Sequence, residues 1–442
     1  MFKLFKTNIE RKFPLLNSSK VLIAISGGVD SVVLTYLCHI CKLNISLAHC
    51  NFNLRGKESN ADEAFVLDLA EDLDLEVFIE SFETKAYARA NKLSMQMAAR
   101  ELRYNWFEEL ASQLGFNYIL TAHHADDDLE TFLINLSRGT GLEGLTGIPE
   151  INDNIIRPLL SFSREQIVAF ARKENLDWRN DSSNASTKYL RNELRHNVIP
   201  VLKGINPKLL QNFVKTQGFL KEAKTIVDDY VETVSDQVIK EIDEGQISFD
   251  IAKIQALNNP KAYLYELLKA YNFTEWDDVY NLLSAQSGKQ VLSVTHRLIK
   301  NRDYLLLTVN NHAILNDGEV SFIISENEKQ IQTHVGTLYF NEVDTFSKNE
   351  AYKFYSDKDK LKYPLELRKW REGDYFYPFG MTGKKKLSKY FKDEKLSLID
   401  KENVWVLCSQ DDIIWIINRR GDNRFKVSED TIHVLKLEFK KN

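Results

Sequence analysis

The sequence predicts an α/β protein: a doubly wound parallel-sheet domain, then a small mainly helical domain, then a mainly β, basic C-terminal domain. Three observations predict it. The run Val21-Leu22-Ile23-Ala24-Ile25-Ser26-Gly27-Gly28-Val29-Asp30-Ser31 passes from a short apolar strand through a glycine turn into a helix with apolar positions Val33, Leu34, Leu37 and Ile40. Strand and helix patterns then alternate as far as Leu160, the signature of a parallel sheet covered on both faces. From Ala351 onward there are 21 Lys/Arg against 15 Asp/Glu, leaving 37 against 48 before it, so a basic tail follows an acidic body. A chain of 442 residues is too long for one core. The domain boundaries are expected at 1–205, 206–312 and 313–442.

The glycine turn carries the chemistry. A strand running into Ser26-Gly27-Gly28 and a helix start leaves the first helical N–H groups unpaired and converging, where an anion completes them. Gly27 and Gly28 let phosphate oxygens approach the backbone, which a Cβ would block. Ser26 and Ser31 add hydroxyl donors, and Asp30 is placed either to bind a metal or to cap the helix. No Gly-Lys-Ser or Gly-Lys-Thr occurs, so this is not a Walker loop.

The composition excludes several classes. No apolar run reaches membrane-span length, and Met1–Lys20 has no signal-peptide core. Four cysteines do not make a disulfide framework in a chain this long, so a reducing cytoplasm is expected. The net charge of −5 argues against an indiscriminate nucleic-acid binder.

In order, Ile45–His49 reads as a second strand leading to a polar loop ending at Arg55-Gly56. Glu63–Leu73 is amphipathic, and Glu76–Ile79 is a third strand. Ala88–Leu110 reads as one long helix carrying Arg100, Arg103 and Tyr104. Tyr118–Thr121 is a fourth strand that ends at His123-His124. Ligands of such sheets sit beyond the carboxyl ends of the strands, where Ser26 and His123 both fall. A helical pattern then follows His123, and His123, Asp127 and Glu130 are expected on one face of it at i, i+4 and i+7. Asp126, Asp127 and Asp128 fill its first turn, where the helix dipole favours negative charge. Zinc suits a His/Asp set, but Mg²⁺ shared with phosphate suits these carboxylates better. Gly139-Thr140-Gly141-Leu142-Glu143-Gly144 matches a dinucleotide fingerprint but follows a helix, so it reads as a loop. Cys38-His39-Ile40-Cys41 lies in an apolar helix without a second Cys pair, so buried cysteine is expected rather than a metal or redox site.

Arg157–Leu160 reads as a further strand end, and Ser163 opens a capped helix. Arg191 and Arg195 lie at i, i+4, where both guanidinium groups suit phosphate or RNA backbone. Beyond Pro200, Leu209–Ile242 reads as helix with a break near Gly218, and helices continue to Ser284. Val291–Val309 turns to β, Asn310–Glu319 is a linker candidate, and the tail is mainly β. In the tail, Arg371, Lys384, Lys385 and Lys386 lie among Tyr and Phe, a combination suited to RNA.

The order Ser-Gly-Gly-Val-Asp-Ser after a strand resembles the PP-loop of the N-type ATP pyrophosphatases, which cut ATP at the α-phosphate. With Met97–Tyr104, His123–Thr131, Arg138–Gly147, Arg157–Leu160 and Asp181–Pro200 in order, residues 20–200 resemble the tRNA(Ile)-lysidine synthetase family. Arg371-Glu372-Gly373-Asp374 and the following glycine-lysine stretch resemble its C-terminal domain. Two positions depart from the family pattern: Asp128 stands where Gln is expected, and Phe52 where many relatives carry a loop histidine.

The resemblance implies that ATP adenylates O2 of the wobble cytidine of a tRNA(Ile) with a CAU anticodon, after which the ε-amine of free L-lysine displaces AMP. ATP would bind at Ser26, Gly27, Gly28, Val29, Asp30 and Ser31, and Mg²⁺ at Asp30 and Asp127. Asp30, Arg103, His123, Asp127, Glu130 and Arg195 would carry the chemistry. Arg103 and Arg195 would steady charge at the α-phosphate, while Asp127 or Glu130 would hold the metal, orient lysine or take its proton. Arg191, Arg195, Arg371, Lys384, Lys385 and Lys386 would bind tRNA. A homodimer is compatible with this reading, which gives it no surface. The rivals are a tRNA thiolase of the same superfamily, which would need a reactive cysteine or an iron–sulfur site, and a non-catalytic tRNA-binding protein that keeps ATP as a structural ligand.

Overall fold

Strand β1 (Lys20–Ala24) lies near the middle of a six-stranded sheet, and its burial explains why the sequence around it is so apolar. In the computed structural model the sheet order is β3-β2-β1-β4-β6-β5, with β2 (Asn44–Asn51), β3 (Val77–Ser81), β4 (Tyr118–Leu120), β5 (Ile151–Asn152) and β6 (Ile155–Ile156). All pairings are parallel except β5 with β6. The described residues are 1–179, 190–243, 246–310, 321–333, 335–346, 352–379, 381 and 383–440. The chain divides into two units, Met1–Asp228 and Asp229–Asn442.

Successive residues of β1 serve opposite faces of the sheet. Val21 and Ile23 pack with α1 (Phe2–Lys12), α2 (Val29–Ile40) and α8 (Arg164–Lys173) through Phe5, Val33, Leu37, Ile167 and Phe170. Leu22 packs on the other face with Phe107 and Ala111 of α5 (Met95–Leu114). Burying each large apolar side chain contributes about 1.5–3 kcal/mol. The strand after β1 in the sheet, β4, comes later in the chain, whereas β2 comes next. The crevice at this switch opens beyond the strand ends, between Ser26 and His123.

Local signals read correctly include the Ser163 cap, whose hydroxyl accepts the Gln166 N–H while the Gln166 side chain accepts the Ser163 N–H. Other readings need correction. The helix expected over 88–110 is two: α4 (Thr84–Ala90) and α5, parted where Lys92 takes φ +54° and Ser94 caps α5 by accepting from Met97 N. His123 is not helical, because His124 is the N-cap of α6 (Ala125–Arg138). The glycine-rich stretch after α6 holds only the short α7 (Leu142–Leu145). Residues 180–189 lie outside the described residues, as does most of the 310–319 linker candidate. After them come α9 (Leu190–Glu193), a π-helical turn over Leu194–Val198, α10 (Ile199–Ile205) and α11 (Leu209–Val238). Helix α11 is unbroken at Gly218 and ends at Val238, where the chain turns to strand instead of continuing to Ile242.

The second unit contains a five-stranded sheet, β7 (Ile239–Asp243), β8 (Gln246–Asp250), β11 (Tyr304–Val309), β10 (His296–Asn301) and β9 (Gln290–Leu292). Its core includes Leu264, Leu268 and Val279 from α13 (Pro260–Leu268) and α14 (Trp276–Asn281), which follow α12 (Ile251–Gln255). Two four-stranded antiparallel sheets follow. One comprises β12 (Ser321–Ile324), β16 (Leu365–Lys369), β19 (Trp405–Ser409) and β20 (Asp412–Ile416). The other comprises β13 (Gln330–Thr333), β14 (Gly336–Val343), β21 (Val434–Lys440) and β15 (Lys353–Asp357). A small ribbon, β17 (Tyr375–Phe376) with β18 (Lys385–Lys386), leads into α15 (Leu387–Asp393).

Cys38 is fully buried on α2 and Cys41 half-buried just after it. Cys38→Ala should therefore cost about 1 kcal/mol, and Cys41→Ala less. A lower urea midpoint at unchanged slope would show it; equal effects would contradict the packing.

Candidate active site

The turn after β1 is built as the sequence suggests. Gly27 has φ +81°, and a Cβ there would lie 3.3 Å from the Phe65 ring, so both conformation and space call for glycine. Gly28 is the extended N-cap of α2. The Ser31 hydroxyl donates to Gly28 O and accepts from Ser26 N, bracing the loop from below. Asp30 faces into the crevice, where Arg164 Nη1 donates to its Oδ2 at 3.0 Å. Its Oδ1 is buried, makes no hydrogen bond among the described residues and lies 3.7 Å from His124 Nε2.

Across the crevice, the His124 imidazole accepts from Asp127 N, and Asp127 Oδ2 accepts from His124 N. The same carboxylate's Oδ1 accepts from Arg195 Nη2 at 2.9 Å. Burial pushes the Asp127 carboxyl up, but His124, His123, the His124 N–H and Arg195 outweigh it and hold it below its ordinary value. Glu130, 1 % exposed, accepts from Arg195 Nε at 2.6 Å and from Arg191 Nε at 3.0 Å. Burial raises its carboxyl above the ordinary value despite both arginines. The expected triad therefore divides. His123 and Asp127 line the crevice, while Glu130 sits behind it and fixes the two arginines.

The crevice is a cavity of about 570 Å³ lined by the glycine turn, His123, Asp127, Arg103, Arg191 and Arg195. Sequence reasoning missed Arg164, which holds Asp30 from 134 residues away, and Arg55 and Arg179, which also line the cavity. No local signal marks such long-range pairs. A second cavity, of about 590 Å³, shares His124, Arg164 and Arg195 with the first and adds Asp126, Glu130, Glu165 and Lys203. Lys203 Nζ donates to Asp126 and Glu165 there.

Both departures from the family pattern have structural work. Asp128 Oδ1 accepts from Ile148 N at 2.6 Å, pinning the glycine-rich loop to α6. A Cβ at Gly147 would come within 2.2 Å of that oxygen. Phe52 stacks on Phe82 and lies under the Arg103 guanidinium, 5.3 Å from its ring centre.

Residues 2–202 match the family model of a PP-loop domain, 241–310 a TilS substrate binding domain, and 365–438 a TilS substrate C-terminal domain. The tRNA(Ile)-lysidine synthase of Parabacteroides distasonis is 43% identical over 97% of both chains. The chain belongs to the tRNA(Ile)-lysidine synthase family. The synthases of Bacteroides thetaiotaomicron (38% identical, 97% of each chain) and Caldanaerobacter subterraneus (32%, 98% of this chain and 96% of the relative) agree along the same span. In this family member all four cysteines are displaced toward the neutral thiol. Burial raises Cys38, Cys41, Cys50 and Cys408, the last two to about 12. Cys50 lines the crevice but is no ready nucleophile.

Burial lowers the His123 pKa from near 6.5 to about 4, more than Asp127 raises it. Between those values the unfolded chain binds the extra proton, so stability should rise with pH through this window and be fully present above it. His123→Gln should flatten the slope, with His49, also lowered by burial, supplying part of the remainder. Urea unfolding at pH 5 and pH 7 would check it; an unchanged slope would contradict a neutral His123.

Proposed function

We propose that the chain ligates free L-lysine to C2 of the wobble cytidine, position 34, in the CAU anticodon of tRNA(Ile), forming lysidine in the cytoplasm and shifting codon reading from AUG to AUA. The observation that carries this reading is the PP-loop crevice facing Asp127 and the Arg191/Arg195 pair, in a chain related along its length to lysidine synthases. Cytosine O2 attacks the α-phosphorus of ATP, the bond to the β-phosphate oxygen breaks, and pyrophosphate leaves. The neutral ε-amine of lysine then attacks C2, the C2–O2 bond breaks, and AMP departs with the former O2. The target base must leave its stack to reach the crevice.

The glycine-turn N–H groups and Ser26 and Ser31 bind the phosphates of ATP. Arg103 and Arg195 neutralise charge at the α-phosphate. Asp127, already ionised, orients the amine and accepts its proton. Glu130 keeps Arg191 and Arg195 in place, the division of labour that its two ion pairs support. His123, neutral at physiological pH, offers a hydrogen bond without charge. The buried Asp30 Oδ1, without a hydrogen bond among the described residues, is an oxygen suited to Mg²⁺, with Asp127 across from it, and the ion would offset phosphate charge. Sulfur transfer is disfavoured by the thiol burial described above. The intact set of Asp30, Asp127 and paired arginines argues for catalysis over mere binding.

Two tests follow. With tRNA, ATP and labelled lysine, the nucleotide products should be AMP and pyrophosphate and the tRNA should gain one lysine by mass spectrometry. Asp30→Ala should abolish both. ADP as the main product would overturn the reading.

The second unit carries the tRNA contacts we propose. Lys384 stands over the Tyr375 ring and Lys386 is exposed, whereas Lys385 is paired with Asp393 at 2.7 Å. Arg371 is exposed beside Glu366. Replacing Lys384 and Lys386 by Ala should weaken tRNA binding and reduce the slope of log K against log salt by up to about 2, while Lys385→Ala alone should change it least. Binding titrations at several salt concentrations would measure this, and an unchanged slope would make these lysines a solvated face.

A further inference from the structure

Beside the glycine turn lies a cluster that the reaction above leaves unused. Asp62, on α3 (Lys57–Asp72), is a buried carboxylate whose side chain is 10% exposed. Arg55 Nη2 donates to its Oδ2 at 2.8 Å, and Arg179 Nε to its Oδ1 at 3.0 Å. Two guanidinium groups thus share one buried carboxylate, and the more exposed Glu58 stands 4.0 Å from Arg55. Both arginine side chains keep a solvent-facing part, 30% and 42% exposed, and both line the crevice together with Ser26, Gly28 and Ser31.

The backbone fixes the cluster to the turn. Arg179 N donates to Gly27 O at 2.9 Å, and its Cγ would lie 3.7 Å from a Cβ at Gly27. Arg55 is held at the start of α3, its N–H donating to the Ser59 hydroxyl. The guanidinium pair therefore sits at the wall of the turn whose N–H groups receive phosphate. Arg103, Arg191 and Arg195 line the same crevice, and Arg191 and Arg195 are held there by Glu130 beside Asp127.

We propose that Arg55 and Arg179, oriented by Asp62, form a clamp for the β- and γ-phosphates of ATP and retain pyrophosphate as it leaves. A guanidinium fork matches phosphate oxygens bidentately. Holding both forks on a buried carboxylate beforehand removes the ordering cost on binding. The clamp deepens the nucleotide reading above and rests on it, but it involves neither lysine nor tRNA.

The test compares three ligands by calorimetry without tRNA: ATP with Mg²⁺, AMP, and inorganic pyrophosphate with Mg²⁺. Arg55→Ala and Arg179→Ala should each weaken ATP and pyrophosphate about tenfold or more, the loss of one charge-assisted hydrogen-bonding group, and leave AMP nearly unchanged. Arg55→Lys, which keeps the charge but not the fork, should fall between and serves if an alanine variant does not fold. A parallel loss of AMP and ATP would make the cluster purely structural and overturn the clamp alone, as would unchanged ATP binding. A wild-type chain that binds AMP but neither ATP nor pyrophosphate would overturn the phosphate reading of the glycine turn together with the clamp.

Discussion

The buried carboxylate of Glu130 is the interaction on which the crevice depends. It sits on α6, almost without solvent, and takes Arg191 and Arg195 from a segment more than 60 residues later. Arg195 also reaches Asp127, so one ion-pair network ties the far end of the first unit to the start of α6. Losing the arginines would leave the Glu130 charge without water, whereas the arginines themselves keep a solvent-facing part. The backbone is irregular where the arginines stand. Pro200 has no N–H for a carbonyl four residues back, and the turn before it is π-helical over Leu194–Val198. Arg195 stands on that wider turn.

How much of this was legible in the sequence depends on how far each signal reaches. The strand, glycine turn and helix from Val21 to Ile40 are local, and so is the Ser163 cap. Residues close in sequence decide them. The aspartates of α6 sit in its first turn because the helix dipole and the His124 cap reward them there. The helix break at 91–94 was hidden, since its cause is one left-handed residue, Lys92, and a serine cap inside an otherwise helical pattern. Gly218 misled in the other direction: helix α11 carries it at a cost of only about 1 kcal/mol. What sequence could not give was partnership. Arg164 with Asp30 and Arg179 with Asp62 are pairs across more than 100 residues, set by sheet order rather than by spacing.

Asp128 and Phe52, the two positions that depart from the expected family pattern, each hold a neighbour in place. Asp128 points away from the reacting groups toward the Gly147-Ile148 backbone, where its short side chain places an oxygen 2.6 Å from the Ile148 N–H. The neighbouring glycine leaves room for it. Phe52 offers a ring face to Arg103, so the guanidinium is steadied by the ring's quadrupole.

A site that handles a triphosphate needs positive charge, yet an uncompensated cluster of guanidinium groups would repel itself and weaken the fold. Here Asp62 holds Arg55 and Arg179, Asp30 holds Arg164, and Asp127 with Glu130 holds Arg191 and Arg195. Every one of these arginines is oriented before substrate arrives, so little reorganisation remains for the moment of reaction. On the proposed reading, phosphate would enter by competing for donors already in position. The acidic balance of the first 350 residues thus coexists with an anion site, because the carboxylates are what keep its cations in register.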